Sequence, residues 1–196
     1  MAIRVTPAPQ QVRSAVHTHL GGLAQARLFG TPALSAVNPD QLALSTPHQV
    51  AVLTAAHVTH SAHWCRSLRL EGWRFLVHGP DDAIAAAHAT AEEPDAPVFR
   101  QINEGPLVRG TEEAIRWAEQ QEPIRAGTFE PILVLAPGLL SNLLLLRNAD
   151  EAGTDYLVAI PPVFEPLQAR TLYPPEDAAA ALRSIAARRA TRGGQP

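Results

Sequence analysis

Trp73-Arg-Phe-Leu-Val-His78 opens the stretch of sequence that decides the fold, and Phe129-Glu-Pro-Ile-Leu-Val-Leu-Ala136 closes it. Both are short apolar runs bounded by turn residues, the pattern of buried strands. Between them, Gly79-Pro-Asp-Asp82 leads into an alanine-rich run, Ala83 to Glu92, that reads as a helix with acids in its first turn. Val98-Phe-Arg-Gln-Ile102 reads as a second strand. Thr111 is an N-cap residue followed by Glu112 and Glu113, and it opens a second helix. Strands alternating with helices predict an α/β core with a sheet of four or five strands, a mixed α+β arrangement being the alternative.

Outward from that core, Gln10 to Leu20 places Val12, Val16 and Leu20 at helical spacing, and Gly21-Gly22 either ends or weakens that helix. Thr46-Pro-His-Gln49 has the form of a capping box with proline at the first helical position, which predicts a helix over Pro47 to Leu68. Its apolar stripe would be Val50, Leu53, His57, His60 and Trp64. Such a face is a natural contact for a homodimer, the commonest symmetric assembly. On the other side, Leu143–Leu146 and Tyr156–Ile160 predict a hairpin with a long loop, with a buried helix over Leu139 to Arg147 as the alternative. Pro175-Glu-Asp177 opens a last helix reaching about Arg189. The expected organisation is one domain, with a helical region over 1–70 packed on a core over 71–190 and a disordered tail at 191–196.

The 196 residues suffice for a single domain with a sizeable core. Only 5% are aromatic, so Ala, Leu and Val must fill most of that core. All 16 basic residues are Arg. Without Lys there is no P-loop lysine and no Schiff-base chemistry. The lone Cys65 excludes a disulfide framework and a cysteine-rich zinc site within the chain. No apolar run approaches the ~20 residues of a membrane span, and the first residues lack a signal-like apolar segment. The expected location is the cytoplasm, away from membranes.

The net charge of −3 is unevenly spread: residues 1–80 hold six Arg against Asp40 and Glu71, while 81–130 hold eleven acids against four Arg. A basic half plus a C-terminal Arg tail suggests an anionic partner. Arg66, Arg69, Arg74, Arg183, Arg188 and Arg189 are the candidate contacts to nucleic acid, with Trp64 and Trp73 near the first of them in sequence. The favoured expectation is therefore a non-enzymatic binding or regulatory protein that contacts DNA as a homo-oligomer and needs no cofactor. An enzymatic alternative rests on two other sets. In the first, strand-end residues His78, Asp81, Asn103 and Glu104 would line a cleft, with His78 and Glu104 as an acid–base pair and Ser141 as a loose nucleophile. In the second, His57 and His60, one helical turn apart, would hold a metal, with His63 and Cys65 further along. Turn chemistry and a packed helical interface explain the same residues without any reaction.

Overall fold

A computed structural model of the chain describes residues 3–60, 64–90, 98–150 and 154–193. It contains six α-helices and seven strands among the described residues, a mixed α+β chain with more strands than the four or five expected. The chain divides into two compact units. The first comprises Met1–Arg4, Ala51–Leu70 and Glu113–Pro196, and the second Val5–Val50 and Glu71–Glu112.

The second unit is built on an antiparallel meander of β2 (Leu70–His78), β3 (Ala83–Thr90) and β4 (Val98–Asn103), with β1 (Ala43–Val52) beside β2. Trp73, Phe75 and Val77 pair directly with Ala89, Ala87 and Ala85. These large and small residues form one buried face against Val12, Val16 and Leu20 of helix α1 (Gln10–Gln25) and Leu34 of α2 (Pro32–Ala36). On the other face, Leu76, Ala83 and Ala86 pack on Val108. Val108 belongs to the first turns of α4 (Pro106–Ala118). Gly72 passes so close to β3 that a Cβ there would sit 2.5 Å from the Ala89 carbonyl oxygen.

In the first unit, β5 (Phe129–Ala136), β6 (Ser141–Asn148) and β7 (Tyr156–Ile160) form a second antiparallel meander. Ile132, Val134, Leu143, Leu145, Leu157 and Ala159 meet Ala178, Leu182 and Ile185 of α6 (Pro175–Gly193). Leu133, Leu144, Leu146 and Val158 on the opposite face are buried as well. Burial on both faces is why these strands read as continuous apolar runs. Trp64 is fully buried, and its indole N–H donates to the Pro175 carbonyl at 3.1 Å, fixing the start of α6. The unit also holds the short helices α3 (Ala55–His60) and α5 (Glu122–Arg125) and the last turns of α4.

Three expected helices change. The helix predicted over Pro47–Leu68 is a strand to Val52, the short α3, and a single turn at Trp64–Arg66. A cap signal is worth only ~1 kcal/mol, and the β-branched Val50 and Val52 continue a buried strand instead. The face expected to make the homodimer contact is therefore not formed. The run Ala83 to Thr90 is β3, because only small side chains fit opposite Trp73 and Phe75; Glu92 lies outside the described residues. Gly79-Pro-Asp-Asp82 is accordingly a hairpin turn, closed by the Gly79 N–H to the Asp82 carbonyl. The second expected helix begins at Pro106, so Thr111 is interior, and its hydroxyl donates back to the Leu107 carbonyl at 2.6 Å. The two strands at 98–103 and 129–136, the C-terminal hairpin and the last helix match expectation. That last helix runs through Gly193, so 191–193 of the expected tail are helical, and 194–196 lie outside the described residues.

Two substitutions test this packing. Ala87→Leu, opposite Phe75, should overfill the face beneath α1, and Gly72→Ala should strike the Ala89 carbonyl. Each is expected to lower stability by roughly 1–3 kcal/mol in urea unfolding. Wild-type stability in both would show that the β2–β3 register is different.

Candidate functional site

The strands that carry the expected strand-end cleft form an antiparallel meander, in which β3 separates β2 from β4. His78 ends β2 with Nδ1 3.9 Å from Oε1 of Glu112, whose Oε2 accepts the Ala83 N–H. Glu104 is engaged elsewhere: its carboxylate accepts the N–H groups of Leu34 at 2.9 Å and Ala33 at 3.2 Å, capping α2 from seventy residues away. Desolvation opposes its ionisation, but the Thr31 hydroxyl and those two N–H groups together hold its carboxyl below the usual value. Asp81 and Asp82 occupy the hairpin turn, and Asn103 is exposed at the end of β4. Ser141 is buried and donates to the Leu139 carbonyl, which leaves it without the free hydroxyl of a nucleophile.

Of the histidine set, only the His57 side chain lies among the described residues. His57 turns its Nδ1 back to accept the Thr54 N–H at 3.2 Å, closing the start of α3. His63 and the His60 side chain lie outside the described residues. Among the described residues no group of three His, Cys, Asp or Glu side chains is placed to hold a metal. Burial pushes the Cys65 thiol up to about 12, reinforced by nearby Asp155.

The arginines divide by environment. Arg66 donates to Asp155 at 3.3 Å, and the same carboxylate oxygen accepts the Asn148 N–H. Arg183 donates to the Val58 carbonyl at 3.2 Å. Arg69 is exposed and has a partner of its own. Arg74 is buried on β2 and cannot reach a phosphate backbone, contrary to expectation. Burial lowers its pKa to about 10, so it stays charged at neutral pH. Its Nη1 has no hydrogen-bond partner among the described residues. Stripping a buried charge of its partner costs about 3–5 kcal/mol in proteins where this has been measured. Beside it, burial lowers His48 to about 4, with the Thr46 carbonyl opposing and Arg74 and His88 adding to the shift. His88 is lowered by burial and by Arg74 and Arg100, against Glu71.

Arg188 and Arg189 stand differently. They line one side of a cavity of about 530 Å³ in the first unit, with Leu139, Leu140, Phe164, Glu165 and Ile185 around them. The turn from β5 to β6 creates one wall: Leu140 takes a left-handed conformation (φ 50°), which turns its side chain out to 54% exposure. Phe164, 43% exposed, supplies another from the segment before α6. Arg188 donates through Nη2 to the Glu165 carbonyl, which holds that segment against the helix. Arg189 makes no hydrogen bond or ion pair among the described residues.

Comparison with protein-family models, with curated proteins and with solved structures finds no match to this chain.

In its lining the cavity combines apolar residues with two arginines and one glutamate. Its size falls in the ~300–1,000 Å³ range of small-molecule sites. The sequence showed Arg188 and Arg189 but not their apolar neighbours, because Leu140 reads as one of a leucine run and Phe164 sits in an irregular segment.

Two measurements check this geometry. The depressed pKa of Glu104 means that its cap contributes stability above the unfolded value of ~4.3 and loses it as pH falls through the folded value. Glu104→Gln should therefore be less stable than the wild type at pH 7, with the difference shrinking towards pH 3 in unfolding titrations. Cys65 should resist a disulfide reagent in the native protein and react fully as a single thiol after denaturation. A fast native reaction would contradict its burial.

Proposed function

We propose that the chain is a non-enzymatic ligand-binding protein that takes a small amphipathic carboxylate in the cavity beside Arg188 and Arg189. The observation that carries this reading is the pairing of exposed Leu140 and Phe164 with two adjacent guanidiniums around one concave space. Large apolar side chains left exposed together mark sites that something else covers. A cation beside them selects an anionic head group, and Arg offers planar donors suited to a carboxylate. Glu165 disfavours a second negative charge, so a monoanion with an alkyl body fits best. Each methylene withdrawn from water adds about 0.8 kcal/mol, which makes chain length the main determinant of affinity.

A nucleic-acid partner has less support. Phosphate-backbone binding needs several free surface cations. Arg66 and Arg183 are committed to internal acceptors, and Arg74 is buried.

The test is isothermal titration of the full chain with decanoate, decanol and a single-stranded oligonucleotide. Decanoate is expected to bind more tightly than decanol by roughly tenfold, the worth of one charge-assisted contact. Arg189→Ala should bring the two affinities together, and Phe164→Ser should weaken both. Oligonucleotide binding that falls steeply with salt, with decanoate inert, would overturn this reading in favour of a nucleic-acid partner.

A further inference from the structure

Arg74 lies on β2 directly opposite His88 of β3, and His88 in turn lies opposite Gln101 of β4. Directly opposed residues of an antiparallel pair share a face. His48, on the neighbouring strand β1, is close enough that Arg74 and His88 both disfavour its protonation. A row of cationic and polar side chains thus crosses four adjacent strands of one unit. His48 and Arg74 are buried, His88 is partly exposed, and Gln101 is exposed. The row is closed at one end and reaches solvent at the other.

Three nitrogens along it meet no hydrogen-bond partner among the described residues: Nη1 of Arg74, Nε2 of His48 and Nε2 of His88. Nδ1 of His48 is 2.8 Å from the Thr46 carbonyl, which can only accept, so Nδ1 carries the hydrogen and Nε2 is left facing inward. Thr46 adopts a left-handed conformation (φ 46°) that a β-branched residue rarely takes, and strain of this kind is held only where surrounding structure imposes it. Among the described residues, the remaining charges felt by the row are Arg100 and Glu71, both exposed.

A metal ion suits this set poorly. Two imidazoles fall short of the three or four protein ligands of a zinc site, and the guanidinium repels a cation. An anion with two or more oxygens suits it well. The guanidinium offers donors in a fork matched to paired oxygens, and burial strengthens each contact.

We infer that the His48–Arg74–His88 row is a binding site for a small oxyanion, a carboxylate or phosphate, held by Arg74 beside His88, with Nε2 of His48 accepting from a protonated oxygen of the anion or from a bridging water. The site shares no residue with the Arg188–Arg189 cavity and does not depend on it.

The experiment follows thermal unfolding and histidine-ring NMR spectra of the full chain with inorganic phosphate, acetate, or sodium chloride at matched ionic strength. Phosphate or acetate, but not chloride, is expected to raise the unfolding midpoint by roughly 3 °C or more. The same anion should shift the His48 and His88 ring signals saturably, and the stronger of the two arms names the source. In Arg74→Met both responses should vanish, while the midpoint without added anion stays equal or rises, because an unpaired buried charge has gone. If that variant fails to fold, His88→Gln should fold and weaken the apparent affinity at least about fivefold. Absence of a saturable shift with either anion, or equal responses in wild type and variant, would overturn the inference.

Discussion

Trp73, Phe75 and Val77 can be buried together only if the strand opposite them carries almost nothing, and Ala85, Ala87 and Ala89 meet that condition. Everything else in the second unit depends on this pairing. Side chains alternate along a strand, so burying these three against α1 sends Arg74, Leu76 and His78 to the opposite face. A slip of one residue would exchange the two sets. The buried guanidinium of Arg74 is therefore a consequence of register, and the cost of keeping it charged falls on the folded protein. Natural chains retain such costs where a group binds something or specifies a structure, and the unpartnered nitrogens on either side of Arg74 favour binding.

The first unit is stabilised by a different device. Its strands are buried on both faces, and α6 covers one of them with alanines that let it approach closely. The Trp64 indole ties the start of that helix to the turn before β2. The far end of the helix carries Arg188 and Arg189, and the left-handed Leu140 faces the same space. A rigid helix and a tight turn thus hold the cavity walls, which suits a preformed pocket rather than one assembled on binding.

Much of the first unit was legible in the sequence. Phe129–Ala136 and Tyr156–Ile160 are apolar runs whose burial does not depend on their neighbours, and Pro175 with two acids marks a helix start by local chemistry. The second unit was not legible in the same way. Ala83–Thr90 has the composition of a helix, and only Trp73 and Phe75 across the ladder make it a strand. The Thr46–Gln49 cap signal failed for a related reason: local preference is worth less than the burial gained by pairing β1. The site residues divide likewise. Arg188 and Arg189 stood out by charge, whereas Glu104 looked like an acid catalyst because its real partners, Ala33 and Leu34, lie seventy residues away. His48 and His88 carried no signal in sequence, since nothing local brings them beside Arg74.

The most direct test of the pocket reading is a crystal structure of the chain grown with decanoate. The expected result places the alkyl chain between Phe164, Leu140 and Ile185, with the carboxylate at Arg189. Decanoate ordered elsewhere on the protein, or a cavity filled by water alone at saturating ligand, would contradict it.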